Sequence, residues 1–180
     1  MKEDELIKLG LQGDRKALEE IYNRFAPKMR GLCFRYVRTV FEVDDVLQEG
    51  FIKVFSKLAS FSGEGSFEGW IRKIVVNTAI NYYHSNQNFS KTMPFEDVRE
   101  NEVTPVYLLE DLSVEDLYKI INQLPTGYRF IFNMFAIDGY SHKEIAESLN
   151  ITESTSRSQY SRARKHLMNI LAENNYDTNS

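Results

Sequence analysis

Apolar residues recur at three- and four-residue spacing over much of the chain. One series runs Leu18, Ile21, Tyr22, Phe25, Met29, Leu32, Cys33, Tyr36 and Val37; a second runs Val43, Val46, Leu47, Phe51, Val54, Phe55 and Leu58. That interval lines side chains along one face of a helix, so both series predict helices packed on a single side. Pro27 has no backbone N–H and is expected to bend or split the first. The second is amphipathic, because Glu42, Asp44, Asp45, Gln48, Glu49 and Lys53 fall mostly off the apolar stripe and make an acidic face. Phe61 to Ser66 is a glycine-rich break, after which Trp70, Ile71, Ile74, Val75, Thr78 and Tyr82 restore helical spacing. No alternating strand pattern competes.

From about Ser85 to Leu112 the chain is polar or acidic and contains Pro94 and Pro105, which predicts a flexible linker. Beyond it Leu117, Ile120, Ile121 and Leu124 mark a helix, Pro125 to Gly127 a turn, and Phe130, Ile131, Met134 and Phe135 another helix. The expected fold is therefore all-α. A helical module occupies residues 1–86, an acidic tether 87–112, a second helical module 113–173 and a disordered tail 174–180. There is no internal repeat.

The second module contains a helix-turn-helix pattern between Ser141 and Met168. Ser141 and Glu144 have the spacing of a capping box, in which the serine caps the third helical amide and the glutamate reaches back. Ile145, Ala146 and Leu149 give the helix that follows one apolar face. Asn150 suits the left-handed conformation of a tight turn, and Thr152 can cap a second helix from Glu153. On that helix Tyr160, Ala163, Leu167 and Ile170 are expected to face inward, leaving Thr155, Arg157, Ser158, Ser161, Arg162 and Lys165 outward. Arginine can donate twice to guanine, hydroxyls reach phosphates or base edges, and the second helix of such a pair enters the major groove. An ordinary helical hairpin with a solvated basic face is the alternative. The capped turn and the small Ala146 favour DNA.

Charge changes the picture only when taken by segment. The 180 residues sum to −4, which argues against a polyanionic partner, but Pro94 to Asp116 carries eight acids and one base. Gly69 to Pro94 and Ser154 to Ala172 contain no acid at all, so two basic surfaces flank an acidic linker. The single cysteine, Cys33, lies among apolar neighbours at helical spacing and reads as a buried structural thiol. The first residues lack the basic and apolar pattern of a signal peptide, and no apolar run approaches a membrane span, so a cytoplasmic protein is expected. No enzyme signature is complete. His142 and Glu144 form half of a zinc-deaminase motif without its paired cysteines; His84, His142 and His166 lack ligand spacing; and the loop Gly63 to Ser66 lacks the lysine of a phosphate loop.

Three strings in order carry a family resemblance: DDVLQEGFIKVF from Asp44 to Phe55, FSGEGSFEGWIRKIVVNTAINYYH from Phe61 to His84, and the stretch from Leu124 to Leu167 that holds the helix-turn-helix. Together they resemble a bacterial RNA polymerase sigma factor of the extracytoplasmic-function type. The resemblance implies a first module like sigma domain 2, which binds core polymerase and opens the minus-10 element, and a second like sigma domain 4, which reads the minus-35 element. It implies polymerase contacts at Asp44, Asp45, Gln48 and Glu49. It implies minus-10 contacts from the loop Ser62, Gly63, Glu64, Gly65, Ser66 and Phe67, with Asn77 and Asn81 behind it and Trp70, Arg72 and Lys73 holding or stacking the strand. In the second module it implies Arg157, Ser158, Ser161 and Arg162 as readers of the minus-35 bases beside Thr155, with Arg164 and Lys165 on phosphates.

Core RNA polymerase and promoter DNA are the partners so implied. An anti-sigma factor is a further expected partner, since many members of the family are held by one, though no residue here demonstrates it. No catalytic activity, cofactor, metal, small-molecule substrate or membrane insertion is expected. The sequence departs from the family pattern at Asn81 and His84, where many relatives have an acid and a later arginine, and at Asn150 and Ser156, where they often have glycine and valine. A helix-turn-helix regulator that never becomes a polymerase subunit is the alternative function.

Overall fold

The computed structural model describes residues 2–86 and 114–174. The expected linker at 87–112, with the acidic residues there, and nearly all of the expected tail at 174–180 lie outside the described residues. The chain divides into two compact units, Met1–Asn86 and Gln87–Ser180. Every regular element among the described residues is helical.

The first unit contains α1 (Glu3–Leu11), α2 (Arg15–Cys33), α3 (Val40–Ser56), a short 3-10 turn (Leu58–Ser60) and α4 (Phe67–Asn86). Asp14 caps α2 by accepting the Ala17 N–H at 2.8 Å. Thr39 and Glu42 form a full capping box at the start of α3, with Glu42 N–H donating to Thr39 Oγ1 at 3.2 Å and Thr39 N–H to Glu42 Oε2 at 2.9 Å. α2 runs unbroken through Pro27, contrary to the expected split. The proline sits at an exposed position while Phe25, Ala26 and Met29 around it are buried, so packing on both sides carries the helix past its missing N–H.

The core of this unit is α3 packed against both α2 and α4. α3 buries Val43, Val46, Leu47, Gly50, Phe51 and Val54; α2 adds Ile21, Phe25, Met29 and Leu32, and α4 adds Ile71, Val75, Val76, Ala79 and Ile80. Each large apolar side chain removed from water here contributes about 1.5 to 3 kcal/mol. Cys33 is fully buried, and desolvation pushes its thiol up to about 12, so it stays protonated and inert. α1 is an element the apolar periodicity did not indicate. It docks through Leu6 and Gly10, where a Cβ would come within 2.9 Å of Leu58 Cδ2.

The second unit contains α5 (Val114–Gln123), α6 (Thr126–Phe132), a π-helical turn (Asn133–Ile137), α7 (His142–Leu149) and α8 (Glu153–Asn174). The turn expected at Pro125 to Gly127 is tighter than that, because Pro125 caps α6 and Thr126 and Gly127 are already helical. Ile120, Ile121, Leu124, Tyr128, Ala163, Leu167 and Leu171 form one cluster. Phe130, Ile131, Met134, Ile145 and Leu149 are buried as well. The capping box of α7 is complete, with Ser141 N–H donating to Glu144 Oε2 at 2.9 Å and Glu144 N–H to Ser141 Oγ at 3.2 Å. Asn150 adopts φ 54° and ψ 48°, and the Ile151 N–H returns to the Ala146 carbonyl at 3.0 Å, closing the helix. Thr152 Oγ1 then accepts the Thr155 N–H at 3.0 Å and starts α8.

Gly50 sets the approach of α3 to α4: a Cβ there would meet Val75 Cγ2 at 3.2 Å and the Val75 Cα at 3.7 Å. Gly50→Val is expected to destabilise the first unit by about 1 to 3 kcal/mol through overpacking and to lower its melting temperature by several degrees. Thermal unfolding followed by Trp70 fluorescence measures this. An unchanged midpoint would mean that the α3–α4 contact is looser than described.

Candidate functional site

Three surfaces hold the residues singled out above. The first is the outward face of α3, where Asp44, Asp45, Gln48 and Glu49 are all exposed. The face is less acidic than its sequence, because each carboxylate has a partner inside the chain. Asp44 pairs with Arg30 of α2, whose guanidinium also lies 5.9 Å from the Phe34 ring centre. Glu49 Oε1 accepts from Lys53 Nζ at 2.5 Å. Asp45 lies beside the Tyr82 hydroxyl; desolvation and then the Asp45 and Glu42 carboxylates hold that phenol above its ordinary pKa. Exposed pairs of this kind contribute about 1 kcal/mol or less, so an incoming cation can take a partner's place.

The second surface is the glycine loop and the helix it leads into. Ser62, Gly63, Glu64, Gly65 and Ser66 are exposed. Gly63 and Gly65 both have φ +79°, and a Cβ on either would meet nothing within 4 Å; backbone conformation, not crowding, is what requires glycine. Ser66 Oγ accepts the Gly69 N–H at 3.2 Å, which caps α4. Phe67, placed by sequence among the strand-contacting residues, is 1% exposed and cannot present its ring to a base. Its ring packs between Phe25 (5.6 Å), Phe61 (5.1 Å) and Trp70 (5.7 Å, stacked), so it anchors the loop to the core. Along α4, Trp70, Lys73, Asn77 and Asn81 share one helical line on the face away from Ile71, Val75 and Ala79. Arg72 and Asn77 are half-buried and Lys73 is exposed. Glu68 joins Lys28 of α2 (2.6 Å) to Arg72 (3.6 Å), and these two cations hold its carboxyl below the ordinary range. Tyr83 is buried, Tyr82 is engaged with Asp45, and half-buried His84 has its pKa lowered by desolvation, so it is no substitute for an arginine's fixed charge.

The third surface is the outer face of α8. Arg157, Ser158, Ser161 and Lys165 are exposed; Thr155, Arg162 and Arg164 are half-buried. Thr155 Oγ1 lies 2.8 Å from Thr152 Oγ1, which ties Thr155 to the cap. The Arg164 guanidinium lies 6.0 Å from the Tyr160 ring centre, a geometry that steadies it beside the helix. Arg157 pairs with Glu153 one turn earlier. Of the residues expected inside, Ala163 and Leu167 are buried, whereas Tyr160 and Ile170 are half-buried. Ser156 and Gln159 are buried with them. Ser156 Oγ lies 2.9 Å from His142 Nδ1, and the His142 ring stacks on Phe135 at 4.2 Å and meets Tyr160 edgewise at 5.9 Å.

Sequence reasoning did not find Lys28, Glu68, Glu153 or the His142–Ser156 contact. The two glutamates carry a readable signal, since each stands four residues before an arginine of a candidate surface, Glu68 before Arg72 and Glu153 before Arg157. Lys28 reaches Glu68 from forty residues away, and His142 meets Ser156 across the turn; neither leaves a local pattern.

Comparison with known proteins places these surfaces in a family context. Residues 21–89 match Sigma-70 region 2, and residues 114–167 match Sigma-70, region 4. The ECF RNA polymerase sigma-E factors of Haemophilus influenzae and Escherichia coli K12 are each 31% identical over 91% of this chain, covering 92% and 91% of their own lengths. Among solved structures, the sigma factor RpoE in complex with the anti-sigma factor NepR from Bartonella quintana is similar with a TM-score of 0.55 and 19% identity, over 87% of this chain and 98% of that one. CnrH in complex with the cytosolic domain of CnrY is similar with a TM-score of 0.52 and 20% identity, over 97% of each chain. These two likenesses bear on the fold.

Burial, and then the Arg157 guanidinium, lower the His142 pKa below its ordinary 6.5, with Glu153 opposing. A histidine whose folded pKa lies below its unfolded value binds its proton more readily once unfolded. The stability contributed by its neutral form is therefore present above about pH 6.5 and is lost as pH falls from there toward the folded pKa. Melting of the whole protein between pH 7.5 and 5 is expected to show this loss, and His142→Asn should flatten it. Parallel pH profiles for the two proteins would contradict the assignment.

Proposed function

This chain belongs to the extracytoplasmic-function sigma factors of RNA polymerase, and from that membership we propose that it binds the core enzyme and directs initiation at a specific set of promoters. The observation that carries this reading is 31% identity over 91% of the chain, with regions 2 and 4 matched in order. A regulator that never becomes a polymerase subunit is set aside by the same finding, since such a protein has no use for region 2.

Each surface takes one role in this reading. The α3 face, through Asp44, Asp45, Gln48 and Glu49, docks on a basic element of core polymerase, whose cations replace Arg30, Lys53 and the Tyr82 hydroxyl as partners. The loop Ser62 to Ser66, hinged by Gly63 and Gly65, closes on a base extruded from the non-template strand at the minus-10 element. Phe67 holds that loop from below, the Asn77 and Asn81 amides read the base edge, and Trp70, Arg72 and Lys73 line the strand. Binding the single strand supplies the free energy that melts the duplex. In the second unit Arg157, Ser158, Ser161 and Arg162 read the minus-35 bases, Arg164 and Lys165 meet phosphates, and Thr155 sets the helix start.

Glu68 and Glu153 compete with DNA for Arg72 and Arg157. Together with the acidic segment Pro94 to Asp116 they weaken binding of the lone protein to DNA, so promoter affinity is expressed in the holoenzyme. Control by a protein that covers these surfaces belongs to the proposal. Among the described residues no helix is long and apolar enough to cross a membrane. In this reading the protein works in the cytoplasm, where polymerase and promoter meet.

Run-off transcription with purified protein and core polymerase on a genomic library tests this. Discrete start sites with a shared upstream sequence are expected, and no stimulation over core alone would overturn the reading. The double charge reversal Asp45→Lys with Glu49→Lys is expected to reduce selective transcripts by roughly tenfold or more without lowering the melting temperature.

A further inference from the structure

Phe41 and Ile52 are the two most exposed large apolar side chains among the described residues, at 81% and 61%, and both lie on α3. Neither belongs to the apolar stripe that packs α3 into the core. A helix turns by about 100° per residue, so positions 41, 45, 48 and 52 fall within roughly 60° of one line, about 16 Å from end to end. Phe41 and Ile52 therefore bracket Asp45 and Gln48 on a single exposed face, with Asp44 and Glu49 at its sides. Leaving a phenylalanine and an isoleucine in water forgoes about 1.5 to 3 kcal/mol each. An aromatic and an aliphatic anchor around a few charged groups is the arrangement from which protein interfaces draw most of their energy.

We propose that Phe41 and Ile52 are the apolar anchors of the polymerase-docking face, each seated in an apolar recess of the core element whose basic side chains meet Asp45 and Glu49. The proposal rests on the reading that α3 faces core polymerase. Charge complementarity identifies the occupant: the middle of the line offers a carboxylate and an amide, and the cations that balance the acids stand beside it on Arg30 and Lys53. A second copy of the chain is the poorer occupant, since a twofold contact centred on this line brings two sets of carboxylates into one interface. The two kinds of residue divide the work. The carboxylates steer association and make it salt-dependent, while the anchors slow dissociation.

The test is the kinetics of full-length protein binding to immobilised core polymerase over a range of salt, for wild type, Phe41→Ser, Ile52→Ser, Asp45→Asn and, as a control, Leu11→Ser at an exposed position on α1. Phe41→Ser and Ile52→Ser are each expected to speed dissociation about tenfold, with unchanged salt dependence and unchanged melting temperature, and Leu11→Ser to behave as wild type. Asp45→Asn is expected to slow association and flatten the salt dependence. If Asp45→Asn has that effect while both serine variants dissociate like wild type, the anchors are refuted and the docking reading stands. If wild type does not bind core polymerase at all, the docking reading itself fails and the anchors fall with it. If wild type sediments as a dimer that Phe41→Ser dissociates, the occupant is a second copy and the proposal is overturned.

Discussion

Burying one face of α3 between α2 and α4 is the constraint on which the first unit depends. Val43, Val46, Leu47, Phe51 and Val54 can all leave water together in only one rotation of the helix, and Gly50 lets α4 approach closely in that rotation alone. Turning the helix by one residue would drive Asp45 or Gln48 into the core, at a desolvation cost of several kcal/mol. The opposite face is thus presented in a fixed register. Phe41, Asp45, Gln48 and Ile52 owe their alignment to the residues behind them, and a partner meets a preorganised line of groups rather than a flexible set.

The second unit repeats the logic with a different filling. α8 is held by Ala163, Leu167 and Leu171, and near its start by Ser156, which has its polar partner in His142 at the first turn of α7. That contact joins the two helices of the helix-turn-helix on the inside, directly behind Arg157. Arginine pairing is shared by both units: Arg72 and Arg157 are each held by a glutamate one turn earlier. In the proposed role DNA displaces a carboxylate to reach either one. Competition of this kind lowers affinity for any polyanion and so favours a site where several contacts form together, as in a complex with polymerase.

Much of this was legible in the sequence where the physics is local. Apolar spacing located α2, α3, α4, α7 and α8, and both the capping box at Ser141 and the left-handed turn at Asn150 followed from side-chain chemistry within a few residues. Features decided by distant packing were not legible. α1 carries four charged residues among nine and docks through Leu6 and Gly10, too few to make a stripe. Pro27 remains inside a helix because its neighbours are buried, which propensity alone does not foresee. Phe67 has the composition of a stacking residue and the position of a core residue. The acidic appearance of the α3 face was misleading in degree, since Arg30 on another helix and Lys53 one turn on offset two of its charges.

The central claim is that one chain turns the outer face of α3 to a protein and the outer face of α8 to duplex DNA at the same time. Site-specific photo-crosslinking tests it most directly, with the probe placed at Gln48 or at Ser161 in a complex reconstituted from full-length protein, core polymerase and promoter DNA. The account predicts that Gln48 captures a polymerase subunit and no DNA, and that Ser161 captures the duplex about 35 base pairs upstream of the start. A Gln48 probe that crosslinks DNA, or a Ser161 probe that crosslinks only protein, would contradict it.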